Sequence, residues 1–241
     1  MVLSPRRIRI LAAAGACFWI IGIVLWRQAA LDMAIQLAHN TLRAVTLIAE
    51  IAKGLSTFGL TLSALLFLIC LARSCRPCGS RDFRRIMLPV LLSFAIAGPV
   101  ADLSKEVFSR PRPFVENPEG IVPITRPPAY SLPSGHTTKI FALILPFVVL
   151  LPPGKGRKAF KIALVVLAGA VAWSRIILGV HFLGDILAGI GTAFLVLPLA
   201  AAAANAVYSA RGMTEKKELV LAAACGLALL ALIVTFFRYS L

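Results

Sequence analysis

His136 and His181 are two of only three histidines in this 241-residue chain, and both stand in short polar segments between long apolar runs. Asp185 follows His181 by four positions, so on a helix the two share a face and the carboxylate can accept a hydrogen bond from one ring nitrogen. Such a bond fixes the tautomer and directs electron density to the other nitrogen, which becomes the better nucleophile. An ionised Asp185 is expected to raise the His181 pKa, and burial to oppose it. Ser174 and Arg175 close the preceding apolar run and can add donors. A plain ion pair between helices is the competing reading of the same residues.

Two further segments supply what an anion needs. Lys105 precedes Arg112 by seven positions, and Arg112 is locked between Pro111 and Pro113. A planar, permanently charged fork on a stiffened segment suits a phosphoryl group, whereas a lone lysine at a helix end would simply snorkel. Pro133 to His136 reads as a turn into a helix, with Ser134 as N-cap. The free amides of that first turn and its dipole attract an anion, Gly135 leaves the approach open, and His136 falls beside whatever is bound.

The elements that must position these residues are set by composition. With 59% hydrophobic and 15% charged residues, the chain is not a soluble globular domain. Apolar stretches long enough to span a bilayer recur at about Ile8 to Trp26, Ser56 to Ala72, Ile86 to Phe108, Thr137 to Leu151, Phe160 to Leu178, Phe182 to Tyr208 and Leu219 to Phe237. The fold expected is all-α, a polytopic transmembrane helix bundle of six core spans plus a seventh at the C-terminus, forming one domain over 1–241 with its motif core at about 86–208. Pro89, Pro99, Pro146 and Pro198 fall inside spans and predict kinks. The first span is read as a retained anchor, because it exits at Trp26 and Arg27 without a small-residue cleavage site.

Most of the 25 basic residues cluster at Arg6 to Arg9, Arg73 to Arg85, Lys155 to Lys161 and Arg211 to Lys217. The positive-inside rule then places the N-terminus in the cytoplasm and the C-terminus outside. The net charge of +15 is thereby topology, and no nucleic-acid partner is expected. Lys105, Arg110, Arg112, Arg126 and Arg175 oppose the trend on the outer side, where a ligand would account for them.

Weaker signals complete the reading. Lys139 is expected to pair with Asp102 or to touch a head group, with a Lys105 pair as the alternative for Asp102. The proline-rich loop from Phe114 to Leu132 is either a lid or an ordinary ordered loop. Met33, Leu37, Leu42, Val45 and Ile48, around His39, predict an amphipathic helix lying on the outer leaflet. Cys75 and Cys78 form a CxxC with Cys70 nearby but no second half, so neither a metal nor a redox site is expected there.

The three segments together resemble the signature of the type 2 phosphatidic acid phosphatase superfamily. The positions filled are Lys105, Arg112 and Pro113; Pro133, Ser134, Gly135 and His136; and Ser174, Arg175, His181 and Asp185. The resemblance implies that His181 attacks phosphorus, Asp185 orients it, and His136 protonates the leaving oxygen and later activates water. Lys105, Arg112, Ser134, Gly135, Ser174 and Arg175 would hold the phosphate. Fixed cations then take the place of a metal, and no cofactor is expected. The reaction implied is hydrolysis of a lipid phosphomonoester or diphosphate at the periplasmic face of a bacterial inner membrane, with membrane lipids as partners and no obligatory protein partner. In size the chain is similar to bacterial phosphatidylglycerophosphate, undecaprenyl diphosphate and lipid A 1-phosphatases. The alternatives are a phosphotransferase that passes the phosphate to a second lipid, and a non-catalytic lipid-binding or transport protein.

Overall fold

The chain folds around one central helix. A computed structural model describes residues 3–56, 81–128, 130–209 and 213–240. Its helices are α1 (Pro5–Arg27), α2 (Ala29–Ala38), α3 (Asn40–Ala44), α4 (described over 46–56), α5 (Arg81–Phe108), α6 (Pro113–Glu116), α7 (Gly135–Leu150), α8 (Arg157–Ile177), α9 (Leu183–Tyr208) and α10 (Glu215–Ser240). No strand occurs among the described residues. The protein is an all-α, multi-pass membrane protein: α1, the stretch from Arg81 to Glu116, α8 and α9 are long and apolar enough to cross a bilayer, and α7 is an apolar helix of 16 residues. The span expected at Ser56 to Ala72 and the cysteines at 70, 75 and 78 lie almost wholly outside the described residues, only Ser56 being within them.

Helix α9 is packed by α1, α5 and α7, while α8 leans on α7 and α10 on α5. Ile86, Val90 and Phe94 of α5 meet Ile140, Leu143 and Ile144 of α7 and Leu197 of α9 in the main core. Small residues let α1 approach α9 at backbone distance: a Cβ added to Gly22 would lie 2.7 Å from Gly184 O, so only glycine fits. All four expected prolines lie within helices, two in α5 and one each in α7 and α9. Large apolar side chains such as Leu103, Val107, Val166 and Leu199 point outward, as a lipid-facing surface requires.

Ion pairs mark one end of the bundle, where Glu218 is bound by Arg81 and Arg85, Glu215 by Arg84, and Asp82 by Arg157. At the opposite end, α2 and α3 fold back over the chain between α8 and α9. Gln36 Nε2 donates to Ile176 O at 2.9 Å and Arg43 Nε to Ile177 O at 2.6 Å. The buried residues of α2 and α3 are Asp32, Gln36 and Arg43, while Leu31, Leu37 and Val45 are exposed. The amphipathic segment read from sequence is therefore present as broken helices whose polar face packs on protein.

Candidate active site

Helix α8 ends at Ile177, and a turn through Gly179, at φ +75°, brings the chain to His181 just before α9. Asp185 sits in the first turn of α9, where its Oδ2 accepts the Phe182 amide at 2.8 Å and so caps the helix. The same oxygen accepts a hydrogen bond from Ser131 Oγ and lies 3.4 Å from His181 Nδ1. Ser131 Oγ is itself 3.5 Å from that nitrogen. The carboxylate is thus fixed behind the imidazole, and the ring's Nε2 points the other way. Burial first, and then the charges of Arg112, Arg175 and Lys105, hold His181 well below the usual histidine range. The upward pull expected from Asp185 does not prevail.

Arg112 faces Nε2. Its Nη1 is 3.4 Å from that atom and donates to Val180 O at 2.9 Å, while Nη2 donates to Pro128 O at 3.0 Å. Two carbonyls on different segments thereby set the plane of the guanidinium beside the nitrogen that would react. The backbone of Arg112 is extended, and Pro113 opens α6 directly after it, as the flanking prolines imply.

Ser134 is the N-cap of α7, as the sequence indicates: its Oγ accepts from Thr137 N at 3.5 Å and Thr137 Oγ1 at 3.0 Å. Its amide donates to Asp185 O at 3.0 Å, which ties the start of α7 to the start of α9. Lys105 pairs with Asp102 at 2.7 Å, the alternative left open by the sequence, and its ammonium lies 3.3 Å from where a Gly135 Cβ would be. A lysine charge thus stands over the first turn of α7. His136, half-buried in that turn, lies within reach of the charges of Arg175, His181, Lys139 and Lys105. Lys139 runs along α5, with its Cε 3.2 Å from a Cβ built on Gly98. Arg175 is buried and donates to Ser56 Oγ, and its Nε has no hydrogen-bond partner among the described residues. A phosphoryl oxygen would satisfy that donor. Ser174 is buried as well, with its hydroxyl returned to Val171 O at 2.7 Å in its own helix.

Three site residues escaped the sequence reading. Ser131 lies in the loop expected to be a lid or an ordinary ordered segment; its amide is held by Arg110 O at 2.8 Å, and the loop is tied down further by Ile124 N on Leu178 O at 3.1 Å and by Asn40 on Gly120 O at 3.1 Å. Arg110, noted only as an outer-side cation, is buried between Asp185 and Asp32, and Asp32 comes from α2. The signal available was Arg110 itself, a second arginine two positions before Arg112 in a proline-stiffened run. For Asp32 the sequence offers no local signal. Among the described residues no cluster of three or more His, Cys, Asp or Glu side chains is arranged to hold a metal ion.

Comparison with known proteins agrees with this geometry. The family model described as the PAP2 superfamily matches residues 86–209. The chain is 34% identical over 107 residues to YbjG of Escherichia coli (strain K12), a candidate undecaprenyl-diphosphatase, with 44% of this chain and 51% of that protein covered. It is 32% identical over 107 residues to an undecaprenyl-diphosphatase of Sulfolobus acidocaldarius, covering 44% of this chain and 49% of the other. The matches thus span about half the length of these curated relatives. A crystal structure of a transmembrane PAP2-type phosphatidylglycerolphosphate phosphatase from Bacillus subtilis superimposes with a TM-score of 0.63 at 25% identity, covering 84% of this chain and 98% of that one.

Proposed function

Because this chain belongs to the PAP2 superfamily, we propose that it hydrolyses the terminal phosphate of a membrane lipid phosphate or diphosphate, without a metal, through a phosphohistidine. The observation that carries the reading is the environment of the His181 ring: Nδ1 is turned to Asp185 and Ser131, while Nε2 faces the clamped guanidinium of Arg112. A phosphoryl group placed at Nε2 meets a fixed cation at once.

In the first step Nε2 attacks phosphorus in line, the bond from phosphorus to the lipid oxygen breaks, and His136 gives that oxygen a proton. Asp185 stabilises the charge that develops on the ring. In the second step His136 takes a proton from water, the water oxygen attacks phosphorus, and the P–N bond breaks to release inorganic phosphate and restore His181. Lys105, Arg112, Arg175 and the first-turn amides of α7 hold the equatorial oxygens, where preorganised charge lowers the barrier most. We place the site at the periplasmic face of a bacterial inner membrane, with the N-terminus in the cytoplasm; the basic clusters of the other loops, which the positive-inside rule assigns to the cytoplasm, support this orientation. Relatives bearing undecaprenyl-diphosphatase and phosphatidylglycerolphosphate phosphatase names make those lipids the first substrates to try.

The test is phosphate release from phosphatidate, phosphatidylglycerophosphate, undecaprenyl diphosphate and lipid A by the purified protein, with and without EDTA. Turnover of at least one lipid, unchanged by EDTA and abolished in His181→Ala, is expected. An absolute divalent-metal requirement, or turnover that survives in His181→Ala, would overturn the mechanism.

A further inference from the structure

We propose that Asp32 and Arg110 are a positioning pair for Asp185, through which the outer helix α2 sets both the aim and the effective charge of the carboxylate behind the nucleophile. The proposal rests on the phosphohistidine reading above. Arg110 Nη1 donates to Asp185 Oδ1 at 2.9 Å, and Arg110 Nη2 donates to Asp32 Oδ2 at 2.9 Å. All three side chains are out of contact with solvent, Arg110 at 1% exposure and the two aspartates at 0%. Asp32 Oδ1 also accepts the Gly184 amide at 3.3 Å, one residue before Asp185. Phe182 lies under the guanidinium at 4.0 Å, and Trp26 completes its surroundings at 5.9 Å.

The two oxygens of Asp185 divide their work. Oδ2 faces the imidazole, Ser131 and the Phe182 amide, and Oδ1 is held by Arg110. Anchoring Oδ1 stops the carboxylate from rotating away from Nδ1. Gly184 is part of the device: a Cβ there would lie 2.8 Å from Gly22 O, 2.9 Å from Asp32 Oδ2 and 3.1 Å from Arg110 Nη1. The glycine before Asp185 is thus required by the approach of this pair and of α1.

Charge gives the pair its second effect. An arginine bound to Asp185 alone would neutralise it and weaken its hold on an imidazole that becomes positive when phosphorylated. Asp32 shares the guanidinium, so with both carboxylates ionised the trio keeps one net negative charge. The charged groups that face Asp185 are Arg110 and Arg112 from the segment after α5, Glu116 from α6, Asp32 from α2 and His181 from the turn before α9. Of these, Asp32 and Arg110 have no place in binding the phosphate.

The experiment compares wild type with Asp32→Asn, Arg110→Lys and Asp32→Asn/Arg110→Gln in the full-length protein. It measures kcat, KM and the pH profile on undecaprenyl diphosphate and phosphatidylglycerophosphate in mixed micelles, alongside thermal unfolding. Asp32→Asn removes the net negative charge, so kcat is expected to fall about tenfold, with KM unchanged and the acid limb moved to lower pH. The double variant restores that charge without the anchor: its acid limb returns toward wild type while kcat stays low. Arg110→Lys keeps the charge but cannot span both carboxylates, and lowers kcat with the limb unmoved. A merely structural ion pair would lower the unfolding temperature and move neither the limb nor kcat. Wild-type kcat and limb in Asp32→Asn would overturn the pair's role alone; should that variant not fold, wild-type kcat in Arg110→Lys would do the same. A wild type inactive on both lipids would overturn the functional reading and the pair's role together.

Discussion

Replacing Arg112 by lysine keeps the charge beside His181 and removes the geometry, so it separates the two contributions. In the native site the guanidinium uses one nitrogen on Val180 O at 2.9 Å and another on Pro128 O at 3.0 Å, and this grip holds Nη1 3.4 Å from His181 Nε2. An ammonium is a single nitrogen and cannot bond both carbonyls while facing the imidazole. Leaving one of these carbonyls without its donor costs about 1–3 kcal/mol in stability. The transition state loses more, because a donor fixed on the equatorial oxygens before reaction is exchanged for a mobile one. Losing one preorganised donor of this kind is worth about 3–4 kcal/mol, or about 10²–10³ in kcat. In the proposed site Lys105 and Arg175 would still hold the ground-state phosphate, so KM should change little. The assay is steady-state phosphate release from lipid in mixed micelles, with unfolding temperature measured in parallel. A lysine variant with kcat within about threefold of wild type, a difference below 1 kcal/mol, would refute the claim that the clamped fork does the stabilising. A rise in KM alone would assign Arg112 to binding instead.

Other expectations follow from the same geometry. His181 is held below its ordinary range by burial and neighbouring cations, so protonation of the nucleophile should produce an acid limb in kcat/KM below pH 6.5. The same depressed pKa means that the contribution to folding is present above the unfolded value and lost as pH falls toward the folded one, which unfolding measured across the acid range would reveal. An acid limb in kcat/KM centred above pH 6.5, or unfolding insensitive to pH across the acid range, would contradict this reasoning. Gly135→Ala puts a Cβ 3.3 Å from the Lys105 ammonium, and a several-fold rise in KM with little change in unfolding temperature is expected from the displaced lysine. Gly22→Ala puts a Cβ 2.7 Å from the Gly184 carbonyl and should destabilise by about 1–3 kcal/mol. Gly169→Ala, with nothing within 4 Å, should be neutral or slightly stabilising, and equal unfolding temperatures for the two would refute the close-packing argument.

What was legible in the sequence was local. Ser134 caps α7 because a side chain two or three bonds from its own amide finds the first-turn N–H groups wherever the helix begins, and Asp185 meets His181 because four positions across a helix start keep the two side chains close, although His181 precedes α9. The apolar lengths were equally direct, since a bilayer sets them from outside. The net direction of the His181 shift was not legible, because Asp185 and burial pull against each other and the cations that side with burial are assembled from distant segments. Ser131 was passed over because a serine in a proline-rich loop has no marker of its own until Arg110 O and Asp185 bring it beside the ring.

The segment between α1 and α4 shows what periodicity alone leaves open. Its apolar residues point to the membrane, but they do not say where its polar residues go. In a membrane protein the apolar stripe can face lipid while the polar stripe is buried, because lipid and not the protein core is the apolar phase. Asp32, Gln36 and Arg43 are buried on this logic, against the Gly184 amide and the carbonyls that end α8. A buried polar stripe must find partners, and the end of a helix offers unpaired carbonyls and amides in quantity. The turn that carries His181 lies between the C-terminus of one helix and the N-terminus of the next, so it is where such a stripe can be satisfied. By this reasoning the buried polar face of a short amphipathic helix in such a protein points to the place where helix ends are gathered, which here is the turn that carries His181.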